Sequence, residues 1–172
     1  MKAQEIRDQV KALVAREAIR EKLACYCRSV DRLDHELGYS VFTDDSVLDY
    51  GENFKGSGKE FIDWCCNAHL TYFSATSHHI SNFIIVIKGK QAFSETYIHG
   101  VRRGIPDDEG EAVQTIVFGR YLDELSCLDN GDWRIARRRF VQDFSELCTV
   151  ETDMGAFAAS RDHHDPSYEF LK

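Results

Sequence analysis

Two short stretches hold residue types that could do acid–base chemistry together: Tyr26-Cys27-Arg28-Ser29-Val30-Asp31 and Thr76-Ser77-His78-His79-Ile80-Ser81-Asn82. A carboxylate hydrogen-bonded to one ring nitrogen of a histidine fixes the tautomer. It also stabilises the imidazolium that forms when the other nitrogen takes a proton. Asp31 and His78 are the candidates for that pair. A phenol aimed at a carbonyl or leaving-group oxygen stabilises developing negative charge, and Tyr26 and Tyr50 are the candidates for that role. The chemistry requires a fold that closes the gap in sequence between residues 31 and 78.

The elements that must close it are legible in the apolar periodicity. Ile6, Val10 and Leu13, then Ile19, Leu23, Tyr26, Val30 and Leu33, recur at steps of three and four. This spacing predicts one long helix, or two consecutive helices, with a single buried face and Asp31 on its flank. A short helix is expected over 34–42 and a short strand over 47–50, ended by Gly51. Gly56-Ser57-Gly58 then opens another helix whose apolar side carries Phe61, Ile62, Trp64, Cys65, Ala68 and Leu70.

From Thr76 the period becomes two. Strands are predicted through Lys88, over 91–103, over 113–127 and over 133–144, with turns at Lys88-Gly89-Lys90 and Asn130-Gly131. Alternation along the first puts His78, Ile80, Asn82 and Ile84 on one face and His79, Ser81, Phe83 and Ile85 on the other. Ile84, Val86, Val117 and Trp133 are expected in the core. Helices followed by an antiparallel meander predict an α+β domain, covering residues 1–145. The tail over 146–172 is expected to be extended, or exchanged between subunits, with His163-His164 solvated.

At 172 residues the chain is long enough for one domain with a proper core. A net charge of −8, with no basic run beyond Arg137-Arg138-Arg139, argues against nucleic-acid binding. At least two of those three arginines are expected to be solvated. No apolar run reaches bilayer-spanning length, and Met1-Lys2-Ala3-Gln4-Glu5-Ile6-Arg7-Asp8 lacks the apolar core of a secretory signal. No membrane association and a cytoplasmic location are therefore expected. The six cysteines are read as reduced and mostly buried thiols. No cluster has convincing metal-ligand spacing and no glycine-rich phosphate loop is present, so neither metal nor cofactor is expected.

The order of elements resembles the nuclear transport factor 2-like superfamily over about residues 8 to 145. Within it, the sequence resembles the SnoaL-like group and its lyase relatives: scytalone dehydratase, bile-acid dehydratase and hexachlorocyclohexane dehydrochlorinase. Tyr26 and Asp31 match a Tyr-x4-Asp at the end of the first long helix. Thr76-x-His78-x3-Asn82 is similar to the segment that carries a catalytic histidine, and Leu48-Asp49-Tyr50 resembles a strand whose tyrosine faces substrate. Trp133-x4-Arg138 resembles a closing strand that contributes a pocket arginine, and His99 falls near a second pocket histidine. The resemblance implies a cone-shaped α+β barrel, with N-terminal helices packed on a strongly curved, mostly antiparallel sheet. It implies catalytic His78, Asp31 and Tyr26, with Tyr50, His99, Arg138 and Asn82 binding substrate.

The activity so implied is a cofactor-independent lyase on a small hydrophobic or polycyclic molecule, above all a dehydratase. The alternatives are an isomerase or cyclase on the same dyad, or a non-catalytic subunit such as the small subunit of a ring-hydroxylating dioxygenase. A homotrimer or homodimer is implied, trimer over dimer.

Overall fold

The computed structural model describes residues 2–151 and 159–171. Helix α1 runs over Ala3–Arg32, α2 over His35–Val41 and α3 over Gly58–Tyr72. Strands β1 (Phe42–Asp49), β2 (Lys55–Gly56), β3 (Phe73–Lys88), β4 (Gln91–Gly104), β5 (Glu111–Cys127) and β6 (Trp133–Glu151) form one sheet, in the order β2-β1-β6-β5-β4-β3. Among the described residues only the β1–β6 pairing is parallel. The helices pack on a curled mixed sheet of six strands, an α+β cone.

Helix α1 ends where Leu33 turns left-handed (φ 55°) and Asp34 starts a new helix, accepting from the Leu37 N–H at 3.0 Å. Ser57 and Glu60 close a capping box on α3, which satisfies backbone donors that the helix leaves unpaired. The following Gly58 sits so close to Phe42 that an added Cβ would lie 2.4 Å from its ring. That approach, together with a 3.0 Å bond from the Gly58 N–H to Ser46 Oγ, seats α3 on β1.

Two expectations about faces are corrected. Ile19, Leu23, Tyr26 and Val30 are buried as one stripe, but Ile6, Val10 and Leu13 are exposed. The six-residue step from Leu13 to Ile19 turns the stripe by about 120° around the helix. The first part of α1 therefore presents its apolar residues away from the core-facing side. On β3, the pairing with β4 shifts between Ser81 and Ile84, and Asn82 adopts a left-handed conformation (φ 51°). This bulge reverses the alternation beyond it. Ile85 is buried at 5% exposure, whereas Ile84 and Val86 are exposed at 60% and 48%. Val117 and Trp133 are buried.

The tail also departs from expectation. β6 continues to Glu151, so a boundary at 145 falls inside a strand. Residues 159–171, including the short helix α4 (Ser167–Phe170), lie back on the same chain. Arg28 Nη1 donates to Ser167 Oγ (3.1 Å), the Tyr168 hydroxyl to Asp34 (2.8 Å) and Arg161 Nη1 to the Phe73 carbonyl (2.7 Å). Arg32 pairs with buried Asp165. His163 and His164 are exposed, and His163 packs on the Tyr168 ring. Residues 152–158 lie outside the described residues.

The bulge makes opposite predictions for adjacent isoleucines. Ile85→Ala should cost about 2–4 kcal/mol of unfolding free energy by cavity formation, and Ile84→Ala no more than about 0.5 kcal/mol. Urea denaturation of both variants checks this; an uninterrupted strand would give the reverse order.

Candidate active site

Asp31 leaves the last turn of α1 and His78 the early part of β3, and the two meet. His78 Nδ1 lies 2.6 Å from Asp31 Oδ1, and the His78 backbone N–H donates to Asp31 Oδ2 at 2.8 Å. One carboxylate thus holds both the backbone and the ring of a single residue. Burial pushes the Asp31 carboxyl up, but the hydrogen bonds and charge of His78 outweigh it and hold the group below its ordinary value. An ionised Asp31 requires the proton on Nδ1, which leaves the Nε2 lone pair for chemistry.

That nitrogen faces a cavity of about 510 Å³ lined by His78, Tyr26, Tyr50, Phe61, Trp64 and Phe140, among others. Opposite His78 on β4 stands Gly100, where an added Cβ would lie 3.8 Å from Nε2. The missing side chain keeps the nitrogen open to the cavity. His79 leaves the other face of the strand, exposed, with Nε2 3.0 Å from Ser77 Oγ.

Tyr26 and Tyr50 form a hydroxyl pair at 3.0 Å. Tyr26 is the deeper, 2% exposed and edge-on to Phe42 and Tyr121. Tyr50 is partly exposed and stacks on Phe61 at 4.3 Å. Burial pushes the Tyr26 hydroxyl well above its ordinary value and that of Tyr50 up to about 12. Both are therefore neutral donors near neutral pH. When Tyr26 donates to Tyr50, the Tyr50 proton is free to point at a ligand.

Three expected substrate contacts are corrected. Arg138 lies fully buried, bound in two parallel bonds (2.7 and 2.8 Å) to Asp123. Its guanidinium sits 4.2 Å from the Tyr26 ring centre and 4.1 Å from that of Tyr121. It supports the tyrosines from behind and does not line the cavity. Arg137 and Arg139, its neighbours in sequence, are exposed. His99 is on the opposite face of β4, stacked on Phe118 at 4.6 Å, because odd positions there point outward. Asn82 is exposed at the β3 bulge. Its spacing from His78 fits the left-handed turn, a conformation asparagine tolerates better than most residues.

Two basic cavity residues escaped the sequence reading. His69 shares the buried face of α3 with Ile62, Cys65 and Cys66, and its ring stacks at 5.9 Å from His78. Its Nδ1 lies 3.2 Å from the Val30 carbonyl and so donates to it, while Nε2 is 3.6 Å from Cys65 Sγ. Burial, reinforced by His78, pushes His69 down to about 4. A histidine inside an apolar helical stripe was the available signal. Arg102 extends the inward row Ile98, Gly100 on β4 and also lines the cavity. Among the described residues no group of His, Cys, Asp and Glu could hold a metal ion, and no helix is long and apolar enough to cross a membrane.

The SnoaL-like domain matches residues 11–139 of this sequence. The chain belongs to the SnoaL-like family. Solved structures of the same fold include a provisional scytalone dehydratase from Novosphingobium aromaticivorans, 24% identical with a TM-score of 0.69 over 88% of this chain and 95% of that one. Hexachlorocyclohexane dehydrochlorinase LinA-type3 from Novosphingobium barchaimii is 15% identical, with a TM-score of 0.73 over 84% and 98%. A provisional aromatic ring hydroxylase from Novosphingobium aromaticivorans is 26% identical, with a TM-score of 0.65 over 80% and 94%. No curated protein matches the sequence. In this SnoaL-like chain, His78, Tyr26 and Tyr50 line one cavity, and Asp31 is bonded to His78.

His69 carries a pH signature. The unfolded imidazole takes up a proton below about 6.5 and the folded one only below about 4. Unfolding is therefore favoured as pH falls across that window, by up to about 3 kcal/mol. Urea denaturation at stepped pH should show this loss between 6.5 and 4, and His69→Gln should flatten it.

Proposed function

We propose that this protein is a cofactor-independent lyase acting on a small hydrophobic molecule, most directly a dehydratase, with the Asp31–His78 pair as its base. The observation that carries the reading is the double hydrogen bond from His78 to Asp31 beside a cavity. His78 Nε2 takes a proton from carbon next to a carbonyl. The C–H electrons move into the carbonyl, and the enolate oxygen is met by the Tyr50 hydroxyl, itself held by Tyr26. When the enolate collapses, the bond to a hydroxyl on the adjacent carbon breaks. That hydroxyl recovers the proton from His78 and departs as water, leaving the base ready for another cycle. Return of the proton to a different carbon would make the same site an isomerase. The structural neighbours named for dehydratase and dehydrochlorinase activity support elimination over isomerisation.

The first step can be tested without the natural substrate. A panel of β-hydroxy ketones in D2O should show deuterium entering the activated C–H position by NMR, and loss of water by mass spectrometry. His78→Ala should abolish both. Asp31→Asn should lower turnover by about 10²–10⁴-fold with little change in KM, because the loss falls on the transition state. Tyr50→Phe should lower turnover by about 10–10²-fold, and His79→Ala should leave it near wild type. Exchange that survives in His78→Ala removes the dyad as the base.

The reading includes self-association, as a trimer before a dimer. The exposed stripe of Ile6, Val10 and Leu13 and the exposed Phe93, Tyr97, Phe144 and Leu147 of the sheet support it. Sedimentation velocity at micromolar concentration should show a species larger than the monomer, and a lone monomer removes this part of the reading.

A further inference from the structure

The chain carries 29 acidic against 21 basic side chains, so carboxylates are in excess. Several arginines of its sheet find them: Arg120 pairs with Glu95 and Asp143, Arg134 with Asp132, Arg138 with Asp123 and Arg139 with Asp49, whereas Arg103 binds Gln114 and exposed Arg137 has no carboxylate partner among the described residues. Arg102 is different. It lines the cavity, yet its side chain has no carboxylate partner and no hydrogen bond among the described residues; the Phe73 ring lies against it, 5.4 Å from the guanidinium carbon. A guanidinium is always charged and presents a planar fork of donors suited to two-point binding of a carboxylate. With no partner among the described residues, in a partly enclosed wall, this charge is open to an anionic ligand.

Its position relates it to the base. Arg102 stands two residues along β4 from Gly100, the residue opposite His78, and on the same inward face. Two residues of strand span about 7 Å, a distance that one small molecule bridges. Much of the rest of the wall is aromatic, from Phe61, Trp64, Phe73 and Phe140, with Asn53 and Gln142 as uncharged polar members, and the imidazole of His69, stacked beside that of His78, is kept neutral. A second guanidinium adds to the positive field: Arg161 donates to the Phe73 carbonyl, and its Nε and Nη2 are buried without partners among the described residues.

We propose that the molecule bound in this cavity is a carboxylate, its aromatic or aliphatic body against the ring-lined wall and its anionic end held by Arg102. Resting on the lyase reading above, this names the substrate class: a carboxylic acid whose activated C–H reaches His78 while its carboxylate is anchored on β4.

The test uses binding, so it stands whether or not the site turns anything over. 2-Naphthoate and its neutral isostere 2-naphthamide are titrated into the full chain by calorimetry, with the fluorescence of Trp64 in the cavity wall as a second readout. Wild type should bind the carboxylate at least about tenfold more tightly than the amide, the ratio expected of a charge-assisted pair. Arg102→Gln should abolish that ratio while changing amide affinity less than about twofold, and Arg102→Lys should keep part of it. His78→Ala should retain it, which separates this site from the dyad: a naphthoate preference in a protein without elimination activity leaves the anion site standing and the lyase reading fallen. The proposal is overturned if wild type binds neither probe or both equally. It is also overturned if the preference survives Arg102→Gln or disappears with His78→Ala. The wild-type comparison decides even where the Arg102→Gln variant does not fold.

Discussion

Asp31 accepts from one residue twice, once from the backbone N–H of His78 and once from its ring. The two bonds do different work. The backbone bond ties the C-terminal end of α1 to β3 and replaces a strand-edge partner that β3 does not otherwise have on that side. The ring bond sets the imidazole's rotation and tautomer. Because both end on one carboxylate, the position of the helix along the strand and the direction of Nε2 cannot vary independently. A charged carboxylate this enclosed is costly to keep unless its lone pairs are met, and His78 meets them on both oxygens.

The wall behind the tyrosines follows similar physics with a different outcome. Arg138 and Asp123 form an ion pair with no solvent exposure on either side chain. The pair holds Nε and Nη2 on Asp123 and leaves Nη1 buried with no partner among the described residues, so the guanidinium has little freedom to move toward a ligand. Its guanidinium instead lies against the rings of Tyr26 and Tyr121, fixing the floor on which the Tyr26–Tyr50 hydroxyl pair rests. Arg102 has the same chemistry, with no acid paired to it among the described residues. The contrast between the two arginines on one sheet separates a group that builds the site from one available to what enters it.

Much of the fold was legible because it depends on local rules. The long α1, the capped start of α3 at Ser57 and the hairpin turns at Gly89 and Gly131 follow from helix periodicity, capping chemistry and positive-φ glycine. The failures share a physical cause, a single shift in phase. A step of six residues from Leu13 to Ile19 in place of seven turns a stripe away from the core. One left-handed residue at Asn82 exchanges the faces of a strand for all that follows. The second shift leaves no mark in hydrophobicity, since Ile84 and Ile85 are chemically the same.

The residue types at 26, 31, 50 and 78 by themselves determined that a base, its orienting carboxylate and a pair of phenols were available, and alternation along β3 separated His78 from His79. Which of the polar candidates share one cavity was decided only in three dimensions. His99 and Arg102 are three residues apart on one strand and differ by face; Arg138 is withdrawn by Asp123, fifteen residues earlier in sequence but directly across the ladder. Sequence spacing sets which side of an element a residue takes. What that side meets depends on curvature, register and the partners that burial forces each charge to find.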